Sequence, residues 1–345
     1  MRKISFGRTN LQVTEVAFGA LPIQRVSFEE AAKILRRAYD AGINFFDTAR
    51  GYSDSEEKMG LALSPVRKNI IIASKSQGKT GDVVSKHIET SLKNLKTNYL
   101  DLIQIHNPDD VPLPDDGTGR YEAMVKARDA GKVRFIGLTN HSLDRVTIAA
   151  KSGLYDTIQY PFSMISMDRE LGIAKLCQEL NLGFIAMKAM SGGLIRNVPA
   201  AFAFMRRFPN VVPIWGIQKM EELEEFLALE ANPPVWDEAM RQAAEQERAA
   251  LGKDFCRSCG YCMPCPEAIP IRTIARMILL LGRSPWEKQT TPEAQQEMAK
   301  SENCTNCGTC ASRCPYELDT PRLVRENYAY YKQFIAEKKA CGLLT

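Results

Sequence analysis

The chain has 345 residues, 45% of them hydrophobic and 25% charged, and its 45 basic against 41 acidic residues give a formal charge of +4. That is the composition of a folded globular protein, too apolar for a disordered chain and too evenly charged to argue for nucleic acid. The longest apolar run, 274–281, contains Arg276 and is too short to span a bilayer, so no membrane partner is expected. The basic start, MRKISFGRTN, leads into no apolar segment of the signal-peptide kind, which predicts a cytoplasmic protein. Ten cysteines are the anomaly: eight lie between Cys256 and Cys314, whereas the first 255 residues contain only Cys177. Such clustering predicts at least two regions of different construction.

In chain order, short apolar runs stand at 13–19 (VTEVAFG), 44–49 (NFFDTA), 69–75 (NIIIASK), 100–106 (LDLIQIH), 133–140 (VRFIGLTN), 157–163 (TIQYPFS), 183–190 (GFIAMKAM) and 211–217 (VVPIWGI). Between them lie stretches of helical period, including 27–41, 82–95, 119–130, 168–180 and 220–229. Ser27 is placed to cap the first of these, with Glu30 three residues on and Gly42 just past its end. Strands apolar throughout are covered on both faces, as in parallel sheets. Eight strand–helix units over 1–230 predict a (β/α)8 TIM barrel. The competing doubly wound sheet would show G-x-G-x-x-G after its first strand, where this chain has FGALPI. The Asn232-Pro233-Pro234 stretch marks a boundary, with a charged linker helix over 231–254 and a small α-helical, cysteine-rich domain over 255–345.

In a barrel the strand C-termini form the active face, and four of those ends carry Asp47, Lys75, His106 and Asn140. Any one of them could be a loop cap or a surface charge; convergence of four on one rim favours a site.

The motifs FGRTNLQVTEVAFG, GINFFDTARGYSDSEEKMG, IIIASK, LDLIQIH and GKVRFIGLTN, in that order, resemble the aldo-keto reductases over 1–230. The resemblance implies an oxidoreductase that moves a hydride between a nicotinamide cofactor and a small carbonyl or alcohol. It carries a catalytic tetrad onto Asp47, Tyr52, Lys75 and His106. Tyr52 would be the general acid/base, Lys75 would favour its phenolate, Asp47 would hold the lysine, and His106 would orient the carbonyl. Taken alone, Tyr52 reads as a rim aromatic. For the cofactor the resemblance implies Thr139, Asn140 and Gln159 at the carboxamide, Gly19 at the first strand end, and Lys188, Gly192, Gly193, Gly216 and Gln218 on the last two loops. The chain departs from the family pattern twice. Met187 stands where an aromatic ring often stacks on nicotinamide, and Glu222 replaces the basic residue that grips the 2′-phosphate of NADP. A carboxylate there argues against NADPH, with Lys188 and Lys219 as compensating charges. Of the other histidines, His87 reads as solvated helix surface and His141 as a rim residue. Asp109, Asp110, Asp115 and Asp116 read as a solvated loop, or as a feature that disfavours anionic substrates.

The tail contains Cys256-x2-Cys259-x2-Cys262-x2-Cys265-Pro and Cys304-x2-Cys307-x2-Cys310-x3-Cys314-Pro. The second run is the bacterial ferredoxin spacing, and the first is one residue shorter before its last cysteine. The expectation is two [4Fe–4S] clusters, with zinc as the rival and disulfides disfavoured in a cytoplasmic chain. In two-cluster ferredoxins the fourth cysteine of each run serves the other cluster, which would group Cys256, Cys259, Cys262 and Cys314 apart from Cys265, Cys304, Cys307 and Cys310. Between the runs, 269–281 predicts one amphipathic helix with a core stripe of Ile274, Met277, Ile278 and Leu281. Cys177 and Cys341 have no partners by spacing.

Nicotinamide delivers two electrons at once and a cluster one at a time, so exchange between them calls for a mediator such as flavin. Three functions remain open. The barrel could be a nicotinamide-dependent reductase with structural clusters. It could be a redox enzyme fed through its clusters by a ferredoxin-like partner, with flavin or substrate at the rim. Or it could be an idle scaffold for an electron-transfer subunit.

Overall fold

The computed structural model describes residues 1–344. They form two compact units that divide between Glu245 and Gln246, inside the helix Glu238–Leu251.

The first unit opens with an antiparallel hairpin, β1 (Lys3–Ser5) and β2 (Gln12–Thr14). Eight parallel strands follow: β3 (Ala17–Gly19), β4 (Phe45–Asp47), β5 (Ile71–Ser76), β6 (Leu100–His106), β7 (Val133–Thr139), β8 (Thr157–Pro161), β9 (Gly183–Met187) and β10 (Val211–Gly216). They close as a barrel in sequence order, β10 returning to β3. The predicted eight-fold unit is therefore the observed one. One expected strand divides: of the 13–19 run only Ala17–Gly19 enters the barrel, while Gln12–Thr14 turns back on β1. The hairpin closes the N-terminal mouth, with Ile4, Phe6, Leu11 and Val13 packed on Phe45, Ile71, Leu102, Ile185 and Val212. Gly183 makes this seal possible, because a Cβ there would stand 2.8 Å from the Phe6 ring. The plugged floor closes the N-terminal mouth of the barrel interior to a ligand.

Helices Phe28–Asp40, Gly81–Asn94, Arg120–Asp129, Asp168–Glu179 and Met220–Ala231 lie where helical period was read. Ser27 accepts from the Glu30 amide as the expected cap. Val198–Met205 carries no such period because Ala200 through Met205 are all buried.

The second unit holds short helices at Ile271–Ile274, Met277–Arg283, Pro292–Ala299 and Thr309–Ser312, and a long one at Thr320–Ala340. The single helix expected over 269–281 breaks at Ala275-Arg276, where Arg276 leaves helical geometry with φ −129°. The break turns Ile278 outward, so of the expected stripe only Ile274, Met277 and Leu281 are buried. Among the described residues no helix is long and apolar enough to cross a membrane.

Candidate active site and cysteine hollows

Strand register brings the predicted rim residues to one level. Gly19 pairs with Asp47, Lys75 with Gln104, His106 with Thr139, Thr139 with Gln159, and Gly216 with Gly19. Asp47 and Lys75 are each 1% exposed. Lys75 Nζ donates to Asp47 Oδ1 at 2.5 Å and to the Thr48 carbonyl at 2.7 Å. Burial pulls the lysine pKa down and pushes the aspartic acid up, while their mutual attraction works to keep both charged.

Tyr52 follows β4 in a turn closed by its own amide on the Ala49 carbonyl. Lys75 Nζ lies 5.3 Å from the centre of its ring, and the His106 ring meets it edge-on at 5.7 Å. Burial, then the Asp47 charge, raises the phenol pKa well above its ordinary value. His106 is pushed down to about 3 by burial and by the Lys75 charge, so it is a neutral imidazole at pH 7. Asp47 Oδ2, Gln104 Oε1 and His106 Nδ1 are buried without a hydrogen-bond partner in the protein. Three such atoms at one rim are what a site for a polar ligand leaves behind.

The residues assigned to a cofactor fall into two groups. Gln159 Oε1 accepts from Gln104 Nε2 at 2.7 Å. Asn140 is engaged by its loop, donating to the Pro108 carbonyl and accepting from the Ser142 amide. Thr139 Oγ1 stands 3.8 Å from Met187 Sδ. Gly192 and Gly193, both at positive φ, follow Lys188 in a tight turn after β9. Near Gly216 the Glu222 carboxylate accepts from the Gln218 and Lys219 amides at 2.7 and 3.0 Å. It thus places a carboxylate at the start of the helix Met220–Ala231, where a phosphate would otherwise be drawn.

Glu56 is a buried carboxylate that the motif assignment passed over. It is fully buried, ion-paired to Arg50, bonded to Ser74 Oγ at 2.6 Å, and its charge supports that of Lys75. Its signal in the sequence was weak, an acidic pair at a helix start that reads equally as dipole compensation. His87 is half-buried on Ser76 Oγ at 2.9 Å rather than a solvated surface residue. His141 is held by Asn107 Oδ1 at 3.0 Å. Asp110 and Asp116 pair with Arg120, which neutralises part of the acidic loop.

The cysteines line two hollows. One is bordered by Cys256, Cys259, Cys262 and Cys314, and the other by Cys265, Cys304, Cys307 and Cys310, with Cys262 touching both. Among the described residues no three His, Cys, Asp or Glu side chains are arranged to hold a single metal ion. Thiols set around a space rather than a point suit a cuboidal cluster better than a zinc ion. Burial and four neighbouring cysteines push the Cys262 thiol up to about 12, which disfavours its thiolate unless cationic metal compensates it.

A 4Fe-4S dicluster domain model matches residues 255–319. Among curated relatives, the aldo-keto reductase YhdN of Bacillus subtilis is 28% identical over 56% of this chain, and the L-galactose dehydrogenase of Arabidopsis thaliana 30% identical over 55%. The chain spans only 64% and 66% of those two proteins, respectively. The holo form of the aldo-keto reductase AKR11C1 from Bacillus halodurans superposes with a TM-score of 0.62 at 20% identity, over 72% of this chain and 96% of that one. An aldo-keto reductase from Klebsiella pneumoniae in complex with NADPH gives 0.61 at 22% identity, over 72% and 95%. These structures share the barrel fold. The model that describes the aldo/keto reductase family matches residues 3–200, more than half of the sequence, and the chain belongs to that family.

Proposed function

We propose that the chain transfers hydride between a nicotinamide cofactor and a small carbonyl or alcohol, with Tyr52 as general acid/base, and that it carries two [4Fe–4S] clusters. One observation carries the catalytic part: a buried lysine–aspartate pair directly beneath a tyrosine that a histidine meets edge-on. An idle rim would gain nothing from the desolvation cost of that pair.

When bound, the nicotinamide supplies the hydride. Thr139, Asn140 and Gln159 would hold its carboxamide, with Met187 against the ring and the loops at 188–193 and 216–222 along its length. The Klebsiella pneumoniae relative solved with NADPH supports nicotinamide binding by analogy. Glu222, which holds two amides, would repel the 2′-phosphate of NADP, with Lys188 and Lys219 as compensating charges. Tyr52 holds its proton through neutral pH and gives it to the carbonyl oxygen of the substrate. Lys75 stabilises the phenolate left behind, and neutral His106 donates to the same oxygen. Clusters held by the eight cysteines would supply one-electron redox chemistry or rigidity.

A second reading is favoured by the exposure of Cys307: a ferredoxin-like donor feeds electrons in through the clusters, to a substrate or a flavin at the rim. Anaerobic titration with NADH and NADPH, followed by optical spectra, separates the two. Carbonyl-dependent consumption of nicotinamide without bleaching of the clusters supports the first, and bleaching by reduced nicotinamide supports the second. Tyr52→Phe is expected to lower carbonyl reduction by about 10²–10⁴-fold; full activity in that variant would remove the tyrosine from the mechanism.

A further inference from the structure

The two cysteine hollows differ in charge, and we infer that they hold clusters of unequal reduction potential. The cluster at Cys256, Cys259, Cys262 and Cys314 takes an electron more readily than the cluster at Cys265, Cys304, Cys307 and Cys310. This rests on the two-cluster reading above.

Arg257 and Arg272 line the first hollow. Arg272 lies against Gly260, between Cys259 and Cys262. A Cβ on that glycine, which sits at φ +87°, would stand 3.4 Å from Arg272 Nε and 3.5 Å from Cζ. Arg276, whose Nε donates to the Arg272 carbonyl at 3.1 Å, does not line this hollow but is close enough for its charge to act on Cys256. Arg257 is held in place by its guanidinium over the Tyr316 ring at 4.0 Å. The second hollow is lined by no lysine or arginine and by one carboxylate, Glu267. Arg313 and Arg325 bond to Pro264 and Asn306, which line the second hollow, without lining it themselves, so they stand to it as Arg276 stands to the first.

Reduction by a one-electron donor takes a cluster core from 2+ to 1+ and adds one negative charge with no proton or bond change. A fixed cation nearby lowers the energy of the reduced form, and an anion raises it. Burial opposes this at the first hollow, where Cys259 is 9% exposed, and favours reduction at the second, where Cys307 is open to solvent. The same low dielectric that penalises the added charge also enlarges the pull of each arginine, so the two arginines that line the first hollow outweigh the burial. An electron received near exposed Cys307 therefore settles on the cluster beside the arginines.

The test is potentiometric titration of the anaerobically purified full chain, followed by electron paramagnetic resonance, with iron and sulfide counted first. Repulsion between two clusters splits their midpoints in any case, so the deciding observation is which variant moves which midpoint. Arg272→Gln is expected to shift the higher midpoint down by about tenfold in its reduction equilibrium, about 59 mV for one electron, and to leave the lower in place. Arg276→Gln moves the same midpoint in the same direction. Arg272→Lys retains it, and Glu267→Gln raises the lower one. If neither arginine variant moves a midpoint, or if both move the lower one, the inference is overturned. Iron and sulfide sufficient for a single cluster would overturn the two-cluster reading itself.

Discussion

The barrel and the cysteine-rich unit solve the problem of holding charge in opposite ways. In the barrel, the Lys75–Asp47 pair sits on neighbouring strands whose register is fixed by their hydrogen-bond ladders, over a floor already filled by the β1–β2 hairpin. In the second unit all the cluster-run thiols but Cys310, which lies in the helix Thr309–Ser312, stand on short loops that pass through left-handed residues such as Ser258, Gly260, Asn306 and Gly308. The cysteines there pack directly on the core around Ile271, Ile274 and Met277, so they are part of the interior they surround. A site built on a complete scaffold survives the loss of its ligand, whereas one whose ligand fills the interior does not.

The largest expected effect breaks this contrast most directly. Removing iron with a chelator, or the Cys259→Ser substitution, should unfold the unit from Gln246 onward while the barrel keeps its helical circular dichroism. Limited proteolysis would check it, with cleavage confined to the region after Glu245. Within the barrel, Asp47→Asn leaves a buried ammonium unpaired and should cost about 3–5 kcal/mol in denaturant unfolding.

A smaller effect comes from His106. Its folded pKa of about 3 lies below the unfolded value near 6.5, so the unfolded chain binds a proton first. The stability this confers is complete above pH 6.5 and is lost as the pH falls towards 3. By pH 5 the loss is about 2 kcal/mol, and His106→Gln should flatten that part of the stability profile. The smallest effect is expected from Glu222→Ala, which removes a helix cap worth about 1 kcal/mol. That variant should also raise the affinity for NADPH relative to NADH, measured as the ratio of the two Kd values.

Much of the barrel was legible because each strand is a short apolar run and its polar exceptions fall at one end. The level of Asp47, Lys75 and His106 follows from that arrangement alone. Glu56 was not legible, because its burial depends on Arg50 and Ser74 arriving from different elements. Gln104 was visible as a polar residue inside LIQIH, but its bond to Gln159 crosses between β6 and β8 and leaves no trace in spacing. In the second unit the order of cysteines announced the hollows, while the helix break at Arg276 went against a continuous apolar period. Only the structure shows that the Arg276 charge beside this break acts on Cys256.

The alternation of the two cysteine runs also governs the order of assembly. A nascent chain that has emerged only as far as Asn303 presents three thiols of one hollow and one of the other, so neither four-thiol site exists. Completion of the first waits for Cys314 and that of the second for Cys310. Both therefore become available within a few residues of synthesis, after the barrel has left the ribosome and had time to fold.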